Sequence, residues 1–255
     1  MLKDNLSFVQ ENIAKACERS RRDVSEVCLI AVSKTKPKDM LMEIYNCNIR
    51  QFGENYVQEM VDKVDTLPDD IVWHMIGHLQ RNKVKYVVGR AAMIHSVESV
   101  RLAKAISEEA VKKNLVVDIL VEVNVAGEEN KFGLKPEEVE DFVKEISTFK
   151  GIRVRGLMTS APYVANPEDN RVYFRQLKQL CVEYDNKNLN FYSNIKVADY
   201  FKKWLVAIKS EVRPNTYRSY KGNMENHIIP YFEKLGTELQ ELKPHQLSDY
   251  YKSKV

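Results

Sequence analysis

Val27-Cys28-Leu29-Ile30-Ala31-Val32 is a continuous apolar run, too short for a helix and rich in β-branched residues, as a strand buried on both faces should be. Pro37 then opens a helical pattern over 37–46, since proline is accommodated at a first helical position. A strand followed closely by a helix is one β/α unit, and the pair recurs. Further short apolar or mixed runs lie at 50–53, 72–77, 92–96, 117–124 and 154–159, and helical patterns occupy 54–63, 82–88, 97–113, 136–148 and 167–184. Six such units with short connections predict a parallel α/β fold with right-handed crossovers. A closed barrel of this kind needs eight units, and the doubly wound open sheet is the competing architecture.

The 255 residues leave room for one barrel or for two smaller domains. Hydrophobic residues at 44% with charged residues at 29% describe a globular chain and exclude disorder as its main state. The amphipathic start, MLKDNLSFVQENIAKACERSRR, lacks an apolar signal core, and no apolar stretch approaches membrane-spanning length. The expected location is cytoplasmic, with no membrane partner. Cys17, Cys28, Cys47 and Cys181 lack metal-ligand spacing, so they read as reduced, mostly buried thiols, with no metal site. Residues 1–190 carry 28 Lys+Arg against 29 Asp+Glu, and residues 191–255 carry 11 against 7. Those last 65 residues also hold 11 of the 24 aromatics. This shift, with the polar run 184–190 (YDNKNLN), sets a predicted boundary between domains 1–189 and 190–255.

No GxGxxG, GxxxxGK[ST] or GxSxG motif occurs, so the common nucleotide and hydrolase fingerprints are missing. The chemistry gathers instead at strand C-terminal ends, which share one mouth in a parallel barrel. Lys34 and Lys36 follow the first strand, Glu54 and Asn55 the second, His78 the third, Ser96 the fourth, Asn124 the fifth, and Met158-Thr159 the sixth. Lys34 leaves a buried strand beside a second cation, and both conditions favour the neutral amine that condenses with an aldehyde. The competing reading is a lysine snorkelling out of a strand end. His74 reads as a hydrogen-bonded core histidine, and His78 as the better pocket residue. Residues 127–134 (GEENKFGL) form a polar loop over the mouth, and Glu122 in its strand needs a partner such as Arg155.

Together, 31–37 (AVSKTKP), 52–59 (FGENYVQE), 73–80 (WHMIGHLQ), 131–134 (KFGL) and 156–159 (GLMT) resemble the pyridoxal-phosphate homeostasis proteins over about residues 1–185. These are single-domain relatives of the alanine racemase barrel. The resemblance implies an α/β fold, a TIM-type (β/α) barrel of the alanine racemase N-terminal type, incomplete here at six of eight units. It also implies pyridoxal 5′-phosphate as cofactor, held as a Schiff base on Lys34, with Asn55, His78, Asn124, Met158 and Thr159 lining the pocket. The implied role is non-catalytic, in vitamin B6 and amino-acid homeostasis. Racemase catalysis needs a second base, which nothing in this sequence supplies. Family members continue with a Ser-Met-Gly-Met-Ser type segment and an Arg-x-Gly segment that cup the cofactor phosphate; neither follows residue 185. Each lost charge-assisted hydrogen bond is worth roughly 1.5–3 kcal/mol, so weaker binding is expected. Open edges at the first and sixth strands make association the expected departure from a monomer.

From Ile195 the pattern turns helical. Val197, Tyr200, Phe201, Trp204, Leu205 and Ile208 fall on one face, Thr216 is placed to cap a second helix that Pro230 interrupts, and Pro244 starts a third. Residues 197–205, 213–220 and 227–232 resemble the helical core-binding (SAM-like) domain of tyrosine recombinases, or integrases. The resemblance implies DNA-phosphate contacts by Lys202, Lys203, Arg213, Arg218 and Lys221. The competing reading is a solvated basic face over a small core. The recombinase catalytic residues are not in this segment, so strand cleavage is not expected. The alternatives to the cofactor-binding function are therefore a DNA-binding integrase fragment, or a chimeric product with impaired cofactor binding.

Overall fold

All six apolar runs become strands of one sheet in the computed structural model of the chain, which describes residues 2–186, 196–209, 212, 214–237, 246 and 249–250. The strands are β1 (Ala31–Val32), β2 (Gln51–Glu54), β3 (Val72–Met75), β4 (Met93–Val97), β5 (Val117–Glu122) and β6 (Ile152–Met158). Their spatial order is their sequence order, and every neighbouring pair is parallel. That order belongs to a barrel, because a doubly wound sheet reverses direction at a switch point. Among the described residues β1 pairs only with β2 and β6 only with β5, so the α/β barrel is incomplete.

Among the described residues, seven α-helices accompany the sheet: α1 (Leu2–Ser20), α2 (Lys38–Tyr45), α3 (Val57–Val64), α4 (Val84–Val87), α5 (Val100–Lys112), α6 (Val139–Ile146) and α7 (Arg171–Asn186). The core lies between helices and sheet. Along β5, Val117, Ile119 and Val121 are buried while Asp118, Leu120 and Glu122 are half-buried, the alternation of a strand with one covered face. Helix α5 answers with Leu102, Ala103, Ile106 and Ala110, and α6 with Val139, Phe142, Val143 and Ile146, each set at helical spacing.

Several expectations need correction. The first strand is paired only at Ala31 and Val32, and among the described residues only on its β2 side. Cys17 is buried, but Cys28 on the unpaired stretch is exposed, and Cys47 and Cys181 are intermediate. The helix predicted from 97 begins at Val100, where Ser99 accepts a hydrogen bond from the Leu102 N–H, and Val97 completes β4 instead. Val32, on the edge strand β1, is 53% exposed, and Val172, Phe174 and Val182 of α7 are exposed as well.

The chain divides into two compact units, Met1–Phe191 and Tyr192–Val255. The second holds α8 (Val197–Ile208), α9 (Pro214–Asn223) and α10 (Ile229–Leu235), with a π-helical segment at Met224–Ile228. Its small core comprises Val197, Ala198, Leu205, Ile229 and Phe232. Thr216 lies inside α9 and does not cap it, since Pro214 takes the first helical position. Pro230 likewise ends nothing: the π segment absorbs its missing N–H, and α10 carries it in its first turn. The helix expected from Pro244 starts outside the described residues.

Candidate functional site at the barrel mouth

Lys34 follows Ser33 at the C-terminal end of β1, and it is exposed. The protein does not supply the desolvation expected from the preceding apolar run, because Lys34 and Thr35 stand in an exposed turn beyond the end of the strand. Among the described residues its amine has no hydrogen bond or ion pair, and neither has that of Lys36.

The backbone around Lys34, by contrast, is held tightly. Lys63 of α3 is 3% exposed and donates to the Ser33 carbonyl at 2.7 Å, to Glu54 Oε1 at 2.7 Å and to Glu59 Oε1 at 2.6 Å. Ser33 Oγ donates to Glu54 Oε1 at 2.6 Å, and the Thr35 N–H donates to Glu59 Oε1 at 2.7 Å. Glu54, read from sequence as a rim residue, is fully buried under β1. Strand alternation explains the placement, because consecutive residues Glu54 and Asn55 take opposite faces. Glu59 and Lys63 were not singled out from sequence; four apart on a helix, they have the spacing of an ordinary surface pair.

The other rim residues gather around the loop after β5. His78 stacks on Phe132 with ring centroids 4.0 Å apart and lies 3.4 Å from Glu98. The Asn124 side chain is spent within its own loop, donating to the Glu128 carbonyl at 2.8 Å and accepting the Glu128 N–H at 3.2 Å. Gly133, at φ +114°, returns the loop against Asn124, where a Cβ would stand 2.7 Å from the Asn124 nitrogen. Lys131 donates to the Ser160 and Ala161 carbonyls at 3.2 and 3.0 Å. The polar loop is therefore strapped from β5 to the segment after β6, with Phe132 reaching the end of β3. Met158 closes β6 half-buried, and its carbonyl accepts the Val123 N–H; the Thr159 hydroxyl donates to the Val123 carbonyl at 2.7 Å. Asn55 backs onto Gly77, where a Cβ would meet Asn55 backbone atoms at 2.6 Å. Thus His78, Asn124, Met158 and Thr159 are linked through the loop after β5 and its neighbours, whereas among the described residues no hydrogen bond or ion pair ties the Lys34 side chain, in the turn after β1, to any of them. A cleft of about 670 Å³ opens beside His78, lined also by Glu98, Arg81 and Arg101.

Glu122 does not pair with Arg155. The register sets Asp118 opposite Arg153, and an irregularity between Ile119 and Leu120 then sets Glu122 opposite Met158. Arg153 and Arg155 approach Asp118 instead, at 2.6 and 3.6 Å. Burial and the nearby Glu98 push the Glu122 carboxyl up to about 7, with His78 partly offsetting them. Lower on the same sheet face, His74 bonds His95 at 2.9 Å and Gln51 Oε1 at 2.7 Å. Burial and the neighbouring His74 lower His95 to about 4, and burial lowers His74 as well.

In the second unit, Lys202 pairs with Glu233 at 2.6 Å and Asp199 at 3.6 Å, and Lys221 with Glu225 at 3.8 Å. Arg218 donates to Asn215 Oδ1 at 3.4 Å. Lys203 lies on α8, and Arg213 lies outside the described residues.

A family model described as alanine racemase, N-terminal domain, matches residues 5–193. The pyridoxal phosphate homeostasis protein of Aquifex aeolicus is 46% identical over 178 residues, covering 69% of this chain and 78% of the relative. This chain belongs to the pyridoxal phosphate homeostasis protein family. The Escherichia coli K12 member is 32% identical over 185 residues, covering 71% and 77% of the two chains. Among solved structures, PipY of Synechococcus elongatus without PLP has 32% identity and a TM-score of 0.61 over 70% of this chain and 82% of that one. With PLP bound, PipY gives 31% and 0.58 over 69% and 82%. Alanine racemase of Clostridium difficile, at 14% identity and a TM-score of 0.58 over 73% and 50% of the chains, shares the fold. A model described as phage integrase, N-terminal SAM-like domain, matches residues 196–255, so an integrase-like helical segment follows the family barrel.

Proposed function

We propose that the barrel binds pyridoxal 5′-phosphate at its mouth with Lys34 as the Schiff-base residue, and that it serves vitamin B6 and amino-acid homeostasis without a turnover reaction. The observation that carries this reading is an exposed amine just after β1, without a partner among the described residues, whose flanking peptide groups are both fixed. The cofactor supplies an aldehyde, which condenses with an amine by loss of water. PipY, solved with PLP bound, and the homeostasis relatives support the ligand and the role. The residues present fit the aldehyde end of the group. His78 and Phe132 offer a flat stacked surface, and Asn55, Met158 and Thr159 complete the rim. Asn124 contributes as the anchor of the strapped loop, its side-chain amide being already engaged. Residues 186–255 contain no Ser-Met-Gly-Met-Ser or Arg-x-Gly segment to hold the phosphate, so weaker binding is expected.

A spectral titration tests this. Wild type develops the absorbance band of a protonated Schiff base on addition of pyridoxal 5′-phosphate, and Lys34→Ala does not; identical spectra from the two proteins overturn the reading. A second reading, DNA contact by residues 196–255, is favoured by the SAM-like match. Carboxylates already neutralise part of the basic face, so only weak, salt-dependent duplex binding is expected. No retardation of a duplex in a mobility-shift assay at low salt excludes it.

A further inference from the structure

The buried Glu54–Lys63–Glu59 group touches the main chain at two places, and those places bracket one residue. The Ser33 carbonyl, which accepts from Lys63 at 2.7 Å, belongs to the peptide preceding Lys34; the Thr35 N–H, which donates to Glu59 at 2.7 Å, belongs to the peptide following it. Lys63 has three N–H donors, and all three are used, on Ser33, Glu54 and Glu59. Glu54 Oε1 accepts twice, from Lys63 and from the Ser33 hydroxyl, while its Oε2 is buried without a partner among the described residues. Thr35 is held at φ +60°, a conformation that β-branched residues rarely adopt.

An apolar cluster would fill this space at less desolvation cost than two carboxylates and an ammonium. What the charged group provides instead is geometry: it fixes the backbone on both sides of Lys34 and makes no bond to its side chain. A nucleophile that must meet an incoming carbonyl gains from such pre-orientation. We propose that Glu54, Glu59 and Lys63 are positioning residues that aim Lys34 at the cofactor aldehyde; this rests on the reading of Lys34 as the Schiff-base residue.

Glu59 is the residue to change, because its side chain is 24% exposed and its loss strands less charge than loss of Lys63 or Glu54. Two measurements on the full chain are needed: hydrogen exchange at the Thr35 amide without cofactor, and the spectral titration with pyridoxal 5′-phosphate. Glu59→Ala is expected to speed Thr35 exchange and to weaken apparent affinity, each by roughly tenfold to a hundredfold, the value of a hydrogen bond to a charged group. Glu59→Gln, which keeps the acceptor oxygen, restores both to within about threefold of wild type. If Glu59→Ala does not fold, Glu59→Asp, which withdraws the acceptor from the Thr35 N–H by one methylene and keeps the charge beside Lys63, is read the same way. Faster Thr35 exchange with unchanged affinity overturns the positioning role, as does equal loss of affinity in both Glu59 variants. A wild-type titration that Lys34→Ala leaves unaltered overturns the Lys34 reading itself, so the two failures are told apart.

Discussion

Glu122 and His95 oppose each other in the pH dependence of stability, and removing either uncovers the other. The Glu122 carboxyl is raised from 4.5 to about 7 by burial, then by Glu98, with His78 acting against them. The folded barrel therefore holds a proton there that the unfolded chain has released. Its contribution is complete below pH 4.5 and is lost as pH rises through 7. His95 is lowered from 6.5 to about 4 by burial and then by His74, so its contribution is present above pH 6.5 and is lost as pH falls through 4. Between pH 4.5 and 6.5 the two slopes have opposite signs. At about 1.4 kcal/mol per pH unit, His95 accounts for about 3 kcal/mol over its range; Glu122, half-buried and partly screened, accounts for about 2 kcal/mol. Because burial lowers His74 too, wild-type stability is expected to rise gently across this window, less steeply than it would without Glu122. Relative to wild type, Glu122→Gln should gain stability with rising pH by about 1 kcal/mol per unit more, and His95→Gln by about 1 kcal/mol per unit less. Urea unfolding at pH 4.5, 5.5 and 6.5, followed by the fluorescence of buried Trp73 in a Trp204→Phe background, reads the barrel unit alone. Parallel pH profiles for wild type and both variants would refute the reasoning.

Gly77→Ala places a Cβ 2.6 Å from the Asn55 Cα and carbonyl oxygen. These are backbone atoms that cannot swing aside, so a loss of about 1–3 kcal/mol in urea unfolding is expected, with weaker cofactor binding through the displaced Asn55; unchanged stability would show that the two strand ends part freely. Val32→Lys puts a charge on the open edge of β1, where Val32 is 53% exposed. Any concentration-dependent association seen by sedimentation should fall in this variant while the melting midpoint is kept, since lysine on an exposed edge strand opposes pairing. Association that persists undiminished assigns it to another surface.

The β/α rhythm was legible because each strand and each helix buries its own covering face, and local periodicity records that directly. Residues 117–122 show it best, with alternating burial along the strand and the apolar spacing of α6 close behind. The site was legible only in part. Alternation alone could have sent Glu54 and Asn55 to opposite faces, but nothing local indicates that Lys63 is buried beneath β1. The Arg155 partner was misread because an irregularity in the β5–β6 register moves Arg155 toward Asp118. The Phe132–His78 stack joins residues 54 positions apart in sequence, beyond the reach of any periodic pattern. At Pro230 the local rule was correct but its consequence was not, because a π segment takes up the lost hydrogen bond within a continuing helix.

The gap between β1 and β6 bears more heavily on binding than on the rest of the barrel, and the polar residues of the sheet show why. Gln51, His74 and His95 satisfy one another across β2, β3 and β4, and Asp118 is satisfied by Arg153 and Arg155 across β5 and β6. None of these groups needs a strand from the far side of a closed barrel to complete its hydrogen bonds, so lack of closure leaves none of them as a buried unpaired charge. The apolar core likewise lies between the sheet and its own helices. What closure would add falls at the lips: neighbours for β1 and β6, cover for Val32, and walls around Lys34. The clamp from α3 fixes the Lys34 backbone without help from across the gap, whereas the surroundings of its amine depend on what stands opposite. Supplying a seventh and eighth β/α unit should therefore tighten cofactor binding by more than it raises the stability of the six units already present.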